Sequence, residues 1–158
     1  MVLGGIEASL RRLTHYDYWE DKLKKCILCE SGADIIVYGM GEKNTLQLCR
    51  ELENGRSIKD VKDIPQTVYL AKKEDIPGGI TDTDIVLHSH EECLRNKKAQ
   101  AENFRHIEEE SNKMHAQRLI QGVDHQFAVV NPPYPPMTTE ELDAAFGLPY
   151  TRMPHPKY

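Results

Sequence analysis

No apolar run in this chain approaches the roughly 20 residues needed to cross a bilayer, so no membrane contact is expected of it. Cysteine is scarce, with only Cys26, Cys29, Cys49 and Cys93 among 158 residues. That is too few for a disulfide scaffold of this size and fits reduced thiols in a cytoplasm. Positive charge is short as well: 20 Lys and Arg face 25 Asp and Glu, for a formal net charge of −5. A general nucleic-acid binder needs clustered cations to neutralise phosphates, and this balance argues against one. The local basic region of Arg11, Arg12, Lys22, Lys24 and Lys25 reads as a solvated helix face. Gly39-Met40-Gly41 lacks the third glycine and the Lys-Ser/Thr of a phosphate-binding loop. No Ser/His/Asp or Cys/His nucleophilic pattern stands out, Glu108-Glu109-Glu110 reads as a solvated face, and no internal repeat is visible. With apolar residues at 39% and a mean hydropathy of −0.58, much of the chain must be solvated helix or arm.

What the chain does have is two short apolar strands that each end in glycines. Val2-Leu3 runs into Gly4-Gly5, and Ile35-Ile36-Val37-Tyr38 runs into Gly39-Met40-Gly41-Glu42. Such turns deliver backbone N–H groups to a crevice at the strand tips of an open α/β sheet. Asp17 followed by Glu20 fits an N-terminal capping box, which predicts a helix from about Tyr18 to Cys29. Trp19, Leu23, Cys26 and Ile27 would form its docked stripe, and Ser31-Gly32 its end. A second helix follows Glu42, with Leu46, Cys49 and Leu52 on its apolar face and Gly55 as its stop. The order strand, loop, helix, strand, loop, helix predicts a parallel βαβα unit.

Beyond Gly55 the texture changes. Thr67–Ala71 and Ile85–Leu87 read as strands, with a Pro77-Gly78-Gly79 turn between them. Ser89 with Glu92 caps a long polar helix reaching Glu110, whose stripe would be Leu94, Ala101, Phe104 and Ile107. Segments 117–121 and 126–130 read as a hairpin turned at Gly122-Val123-Asp124. Asn131-Pro132-Pro133-Tyr134-Pro135-Pro136 is a stiff extended connector, because four prolines fix φ and remove donors. Thr138 with Glu141 caps a last helix from Glu140 to Phe146, and the tail from Leu148 to Tyr158 reads as extended.

GGIEASLRRLTHYDYW (4–19), YGMGE (38–42), VVNPPYPPMTTEELD (129–143) and LPYTRMPHPKY (148–158) together resemble the YgiQ-type radical-SAM proteins, in that family's order. The paired glycine turns also resemble the end of a cobalamin-binding-type domain. The resemblance spans nearly the whole chain. It implies an α/β fold: a partial Rossmann-like parallel sheet with a helical and β-hairpin insertion and an extended Pro-rich C-terminal linker. Residues 1–56 would be the last two βα units, 57–130 the insertion, and 131–158 the linker and short helix into a radical-SAM domain. Earlier sheet strands would lie upstream, and cluster-binding cysteines just after Pro154-His155-Pro156, making this an internal piece of a longer protein. The parent would carry a [4Fe–4S] cluster and S-adenosylmethionine, with this chain positioning substrate or packing on the catalytic barrel. The alternative is a non-catalytic binding or assembly module. The chain itself lacks the C-x-x-x-C-x-x-C run of a cluster site. It also lacks the D-x-H-x-x-G signature that supplies an axial histidine, which weighs against cobalamin.

The candidate crevice is Gly4, Gly5, Glu7, Gly39, Gly41 and Glu42, expected at adjacent strand tips. A second candidate, for substrate or an interdomain contact, is the knot of Arg11, Arg12, His15, Tyr16 and Asp17, which could close over a polar substrate or a phosphate. Its plainer reading is an anchored loop with Tyr16 and Trp19 in the core. Cys26, Cys29, His88, His90 and Cys93 are zinc-type donors, but their spacing is loose and no metal or catalytic residue is assigned. An open sheet edge at Val2-Leu3 would also make the chain tend to associate.

Overall fold

The computed structural model describes residues 1–154, 156 and 157. Its centre is a six-stranded sheet in the order β1-β4-β5-β8-β7-β6, where β1 is Val2–Leu3, β4 Ile35–Val37, β5 Thr67–Ala71, β6 Ile85–Leu87, β7 Leu119–Val123 and β8 Gln126–Val130. A separate two-stranded hairpin joins β2 (His15–Asp17) to β3 (Lys22–Lys24). In the main sheet β1 pairs with β4, and β6 with β7, in parallel. The β4–β5, β5–β8 and β8–β7 pairings are antiparallel, so strands from before and after residue 56 share one mixed sheet.

The period-2 alternation of strands gives the sheet two apolar faces. Cross-strand partners point to the same side. Ile36, Val68, Val130 and Leu119 therefore line up across four strands on one face, and Ile35, Tyr69, Val129 and Ile120 on the other. All eight are buried. The first row is covered by Ala8 of helix α1 (Gly5–Leu10), by Leu13, and by Leu28 of α2 (Ile27–Ser31). Beneath the second, Ile35 and Val37 pack on Leu48 of α3 (Glu42–Glu53) and on Val61 and Ile64. The strand at Ile35–Val37 needs cover on both faces, as its unbroken β-branched run predicts.

The segment expected as a helix from Tyr18 to Cys29 is instead the β2–β3 hairpin followed by the short α2. Asp17 does cap, but it caps a turn: its Oδ1 accepts from the N–H groups of Trp19 at 3.0 Å and Glu20 at 3.1 Å. The same side-chain geometry opens a helix or closes a turn, and here Asp21 at φ +52° turns the chain back. Trp19, placed in the core by the helical spacing, is 79% exposed and packs its ring against Tyr18 at 4.5 Å between centroids. Tyr16 is exposed too.

Two other helices form where expected but present other faces. In α3 the buried positions are Asn44 and Leu48, while Leu46, Cys49 and Leu52 face outward. Gly55 stops it in the left-handed region at φ +85°, with Arg56 N–H donating to Glu51 O. The long polar helix is two: α4 (His90–Arg95), with the Ser89–Glu92 capping box, and α5 (Lys97–Ser111), started afresh by the Asn96 side chain. Its buried positions are Ala99, Asn103 and Glu110. Phe104 is 60% exposed and Leu94 is exposed as well. Asn103 earns burial by bridging His88: its Oδ1 accepts from His88 N at 2.9 Å and its Nδ2 donates to His88 O at 2.9 Å. Apolar spacing misses a face that hydrogen bonds select. The hairpin of β7 and β8 turns at 124–125, and α6 (Thr139–Phe146) carries its capping box. Residues 131–138 form neither helix nor strand; positions 155 and 158 of the expected extended tail lie outside the described residues.

Asn131 joins the connector to the sheet. Its Nδ2 reaches Lys62 O at 3.0 Å, Ile64 O at 2.9 Å and Thr67 Oγ1 at 3.1 Å, while its carbonyl accepts from Tyr38 Oη at 2.6 Å. Truncating a buried donor strands its acceptors. Asn131→Ala is expected to cost about 2 kcal/mol, read as a lower urea midpoint at unchanged slope.

Candidate functional site at the strand tips

The parallel β1 and β4 end side by side, which brings the two glycine turns together. Gly5, at φ +86°, lets α1 begin directly after β1. From α1, Ser9 Oγ donates to Gly5 O at 2.8 Å and accepts from Gly39 N at 3.1 Å, tying the first turn to the second. Gly39 sits at φ +67° with Gln66 Nε2 3.1 Å from where a Cβ would stand, so any side chain there is both strained and crowded. Gln66 holds that turn from below, its Nε2 donating to Tyr38 O at 2.8 Å and Met40 O at 2.5 Å. Nothing in the local sequence marks Gln66; it arrives from the start of β5. Gly4 lies against Val37 O, and Gly41 against the Val37 side chain. Glu7 is exposed and paired with Arg11 at 2.7 Å, and the exposed Glu42 opens α3. The two glycine turns thus lie side by side, but of the four glycines only Gly39 borders a cavity, and Glu7 and Glu42 point to separate tasks.

Arg12 is the group that changes the chemistry of this place. Its guanidinium lies 5.1 Å over the Tyr38 ring and Nη1 donates to Ser9 O at 2.5 Å. Nε is buried and has no hydrogen-bond partner, and no carboxylate lies within ion-pair distance among the described residues. Burial pulls its pKa down, and burial likewise pushes the Tyr38 hydroxyl up to about 12. The guanidinium borders a cleft of about 260 Å³ together with Ser9, Tyr38, Gly39, Ile107 and Pro133. The buried Glu110 on its far wall is already engaged by Lys113 Nζ and by Gln117 N–H at 2.7 Å. A largely desolvated cation without a carboxylate partner, on a side chain that borders a cleft, favours an incoming anion.

The rest of the knot is divided from Arg12. Arg11 reaches Glu7 and, at 3.9 Å, Asp17. Tyr16 Oη donates to Asp21, and His15 Nδ1 meets Leu13 O at 3.2 Å while its Nε2 is buried without a partner. Burial lowers the His15 pKa, so the ring is neutral at pH 7. The Asp17 carboxyl is held below the ordinary aspartate range first by the Glu20 N–H and then by Lys24, 3.3 Å away. A lowered folded pKa contributes stability that is complete above the unfolded value, about 3.9, and is lost as pH falls through the folded one. Fluorescence of Trp19, the single tryptophan, is expected to report opening of the turn in that acid window, and Asp17→Asn to remove the step.

The zinc-type donors do not converge. Among the described residues no three His, Cys, Asp or Glu side chains form a group able to hold a metal ion. Cys93 Sγ accepts from Asn103 Nδ2 at 3.2 Å, His88 pairs with Glu102 at 2.8 Å, and His90 Nδ1 meets Thr14 Oγ1 at 3.0 Å. These thiols therefore do not fit an iron–sulfur cluster, which needs three thiolates around one cubane.

A larger apolar groove of about 650 Å³ runs between α3 and α6, bordered by Leu46, Tyr134, Met137, Ala145, Leu148 and Tyr150. Lys43 bridges it by pairing with Glu141 at 2.7 Å.

The family comparisons agree along the whole chain. The radical SAM N-terminal family model matches residues 1–158. A UPF0313 protein of Bacteroides thetaiotaomicron is 55% identical over 100% of this chain and 27% of its own length. Those of Porphyromonas gingivalis and Methanocella arvoryzae are 51% and 43% identical, again over all of this chain and 25% and 26% of theirs. The chain thus spans about a quarter of the length of the curated relatives it matches. No solved structure matches it. With a match over its full length and relatives of this similarity, the chain belongs to the radical SAM N-terminal family of the UPF0313 proteins.

Proposed function

We propose that this chain is the non-catalytic N-terminal part of a radical-SAM iron–sulfur protein, and that its strand-tip cleft holds an anionic portion of the substrate. The observation that carries the reading is Arg12, a largely buried guanidinium with no carboxylate partner on a side chain that borders the cleft. The family's name supports a [4Fe–4S] cluster and S-adenosylmethionine in the whole protein, bound outside these residues. The parallel β1–β4 pair with its two glycine turns supports reading residues 1–56 as the end of a Rossmann-like sheet, and the connector from Asn131 onward as the path into a catalytic domain. A cytoplasmic site fits the free thiols.

Full-length protein reconstituted with iron and sulfide is expected to cleave S-adenosylmethionine reductively, and residues 1–158 alone to be inactive. Absence of cleavage by the reconstituted full-length protein overturns the enzyme reading. The second reading, a binding or assembly module, is favoured by one feature, the apolar groove between α3 and α6. Leu46→Glu would then break assembly. Under the enzyme reading the same change alters how the catalytic domain packs and lowers the cleavage rate several-fold.

A further inference from the structure

Two of the four thiols are placed unlike the others. Cys26 caps the start of α2 and Cys29 follows in the same turn, with Cys29 N–H donating to Cys26 O at 2.9 Å. Both are free, and the two thiols are close enough for each to shift the other's titration. Their exposure differs sharply: Cys26 is 1% exposed, while Cys29 is half-buried and opens onto a cleft of about 470 Å³. Lys22, Lys24, Lys25, His90 and Asp124 line that cleft with it, and Lys25 is paired with Asp124 at 2.7 Å. Cys49 is exposed but isolated, and Cys93 is buried against Asn103.

We propose that Cys26 and Cys29 form a redox-active dithiol that exchanges with small-molecule disulfides of the glutathione class, Cys29 attacking and Cys26 resolving. The neighbouring Cys26 lowers the pKa of Cys29, while Cys29 and burial raise that of Cys26. The accessible sulfur is therefore the better thiolate and the buried one stays protonated until it is needed. In the first step Cys29 S⁻ attacks one sulfur of the external disulfide, forms a mixed disulfide and expels one thiolate. In the second, Cys26 gives up its proton and its sulfur attacks Cys29, breaking the mixed disulfide and expelling the second thiolate. The dithiol is oxidised by two electrons, the external disulfide is reduced to two thiols, and the two protons end on them. None of this draws on the cleft at Arg12 or on the radical-SAM reading.

Trypsin cuts after Lys25 and Lys43, so Cys26 and Cys29 share one peptide, Cys26–Lys43, while Cys49 falls on Asn44–Arg50. Full-length protein equilibrated with oxidised and reduced glutathione, then acid-quenched and alkylated, is expected to show two states of peptide 26–43. It carries two alkyl groups in reducing buffer and none, with an internal disulfide, in oxidising buffer. Cys49 should show only partial glutathionylation. Cys26→Ser should trap a single glutathionyl group on Cys29, and Cys26→Ala should slow alkylation of Cys29 about tenfold by removing the neighbouring thiol. The wild-type map needs no variant, so a folding defect in either substitution leaves it valid. A peptide 26–43 that stays doubly alkylated in excess oxidised glutathione, or that takes glutathione on both sulfurs without closing, overturns the proposal.

Discussion

Arg12→Ala is expected to remove stabilisation by anions while leaving the fold standing. In the full-length protein, inorganic phosphate or pyrophosphate should raise the melting temperature of the wild type saturably, because a ligand that binds only the native state stabilises by mass action. A hydrogen bond to a charged group is worth about 1.5–3 kcal/mol, so loss of the guanidinium should weaken the anion by about 10–150-fold. Arg12→Lys should recover only part of this, since an ammonium cannot reproduce the planar fork. The fold cost is small because two effects oppose each other. The Nη1 bond to Ser9 O and the stacking on Tyr38 are lost, but so is the burial of a charge without a carboxylate partner. A fold cost of roughly 1 kcal/mol moves the melting temperature by no more than about 4 °C in a chain of this length or longer. An unchanged anion response, or a collapse of the melting temperature, would show Arg12 to be a structural prop.

The largest stability effect is expected at Ile36→Ala. Ile36 is fully buried in the middle of β4, next to Val68 across the antiparallel pairing and beneath Ala8, Leu13 and Leu28. It is the point where α1, α2 and the sheet meet, and neighbours fixed in both helices and strands cannot collapse into the gap. Truncation of a buried Ile to Ala should therefore fall in the upper part of the usual range, about 3–5 kcal/mol. Chemical denaturation with circular dichroism reads this directly. A loss under about 1.5 kcal/mol would mean the three layers repack freely and that β4 is less central than its burial indicates. Ile36→Val, which removes one methylene, should cost only about 1 kcal/mol.

Residue patterns that act over a few positions were legible in advance. The capping boxes at Ser89–Glu92 and Thr138–Glu141 form as read, because both partners lie three residues apart and need nothing else. The strands at Ile35–Val37, Thr67–Ala71 and Gln126–Val130 were marked by β-branched runs between turn residues. The Asp17–Glu20 pattern misled because one local hydrogen-bond arrangement serves two structures. Only the pairing of Tyr16 with Leu23 across the hairpin selects the turn. Helix faces misled for another reason: Asn44 is buried because Gln66 O accepts from it at 2.8 Å, and Asn103 because His88 does. Polar residues matched to distant partners go inward, and apolar ones such as Leu46 stay out.

The candidate site divides in the same way. Glycines at both turns and the Arg-rich knot were visible as residue types, and with them the family resemblance. That Arg12 would stack on Tyr38 with no carboxylate partner, and that Arg11 next to it would serve Glu7 and Asp17, depends on where α1 and β4 place them. By itself, then, the sequence determined the family, most of the strands and the helix starts marked by capping boxes, since these follow from interactions among near neighbours and from long shared motifs. Tertiary structure alone decided the order of strands, which side of each helix is buried, and which of two adjacent arginines faces a cleft. Those depend on partners 15 to more than 100 residues away, whose burial and hydrogen bonds no local pattern encodes.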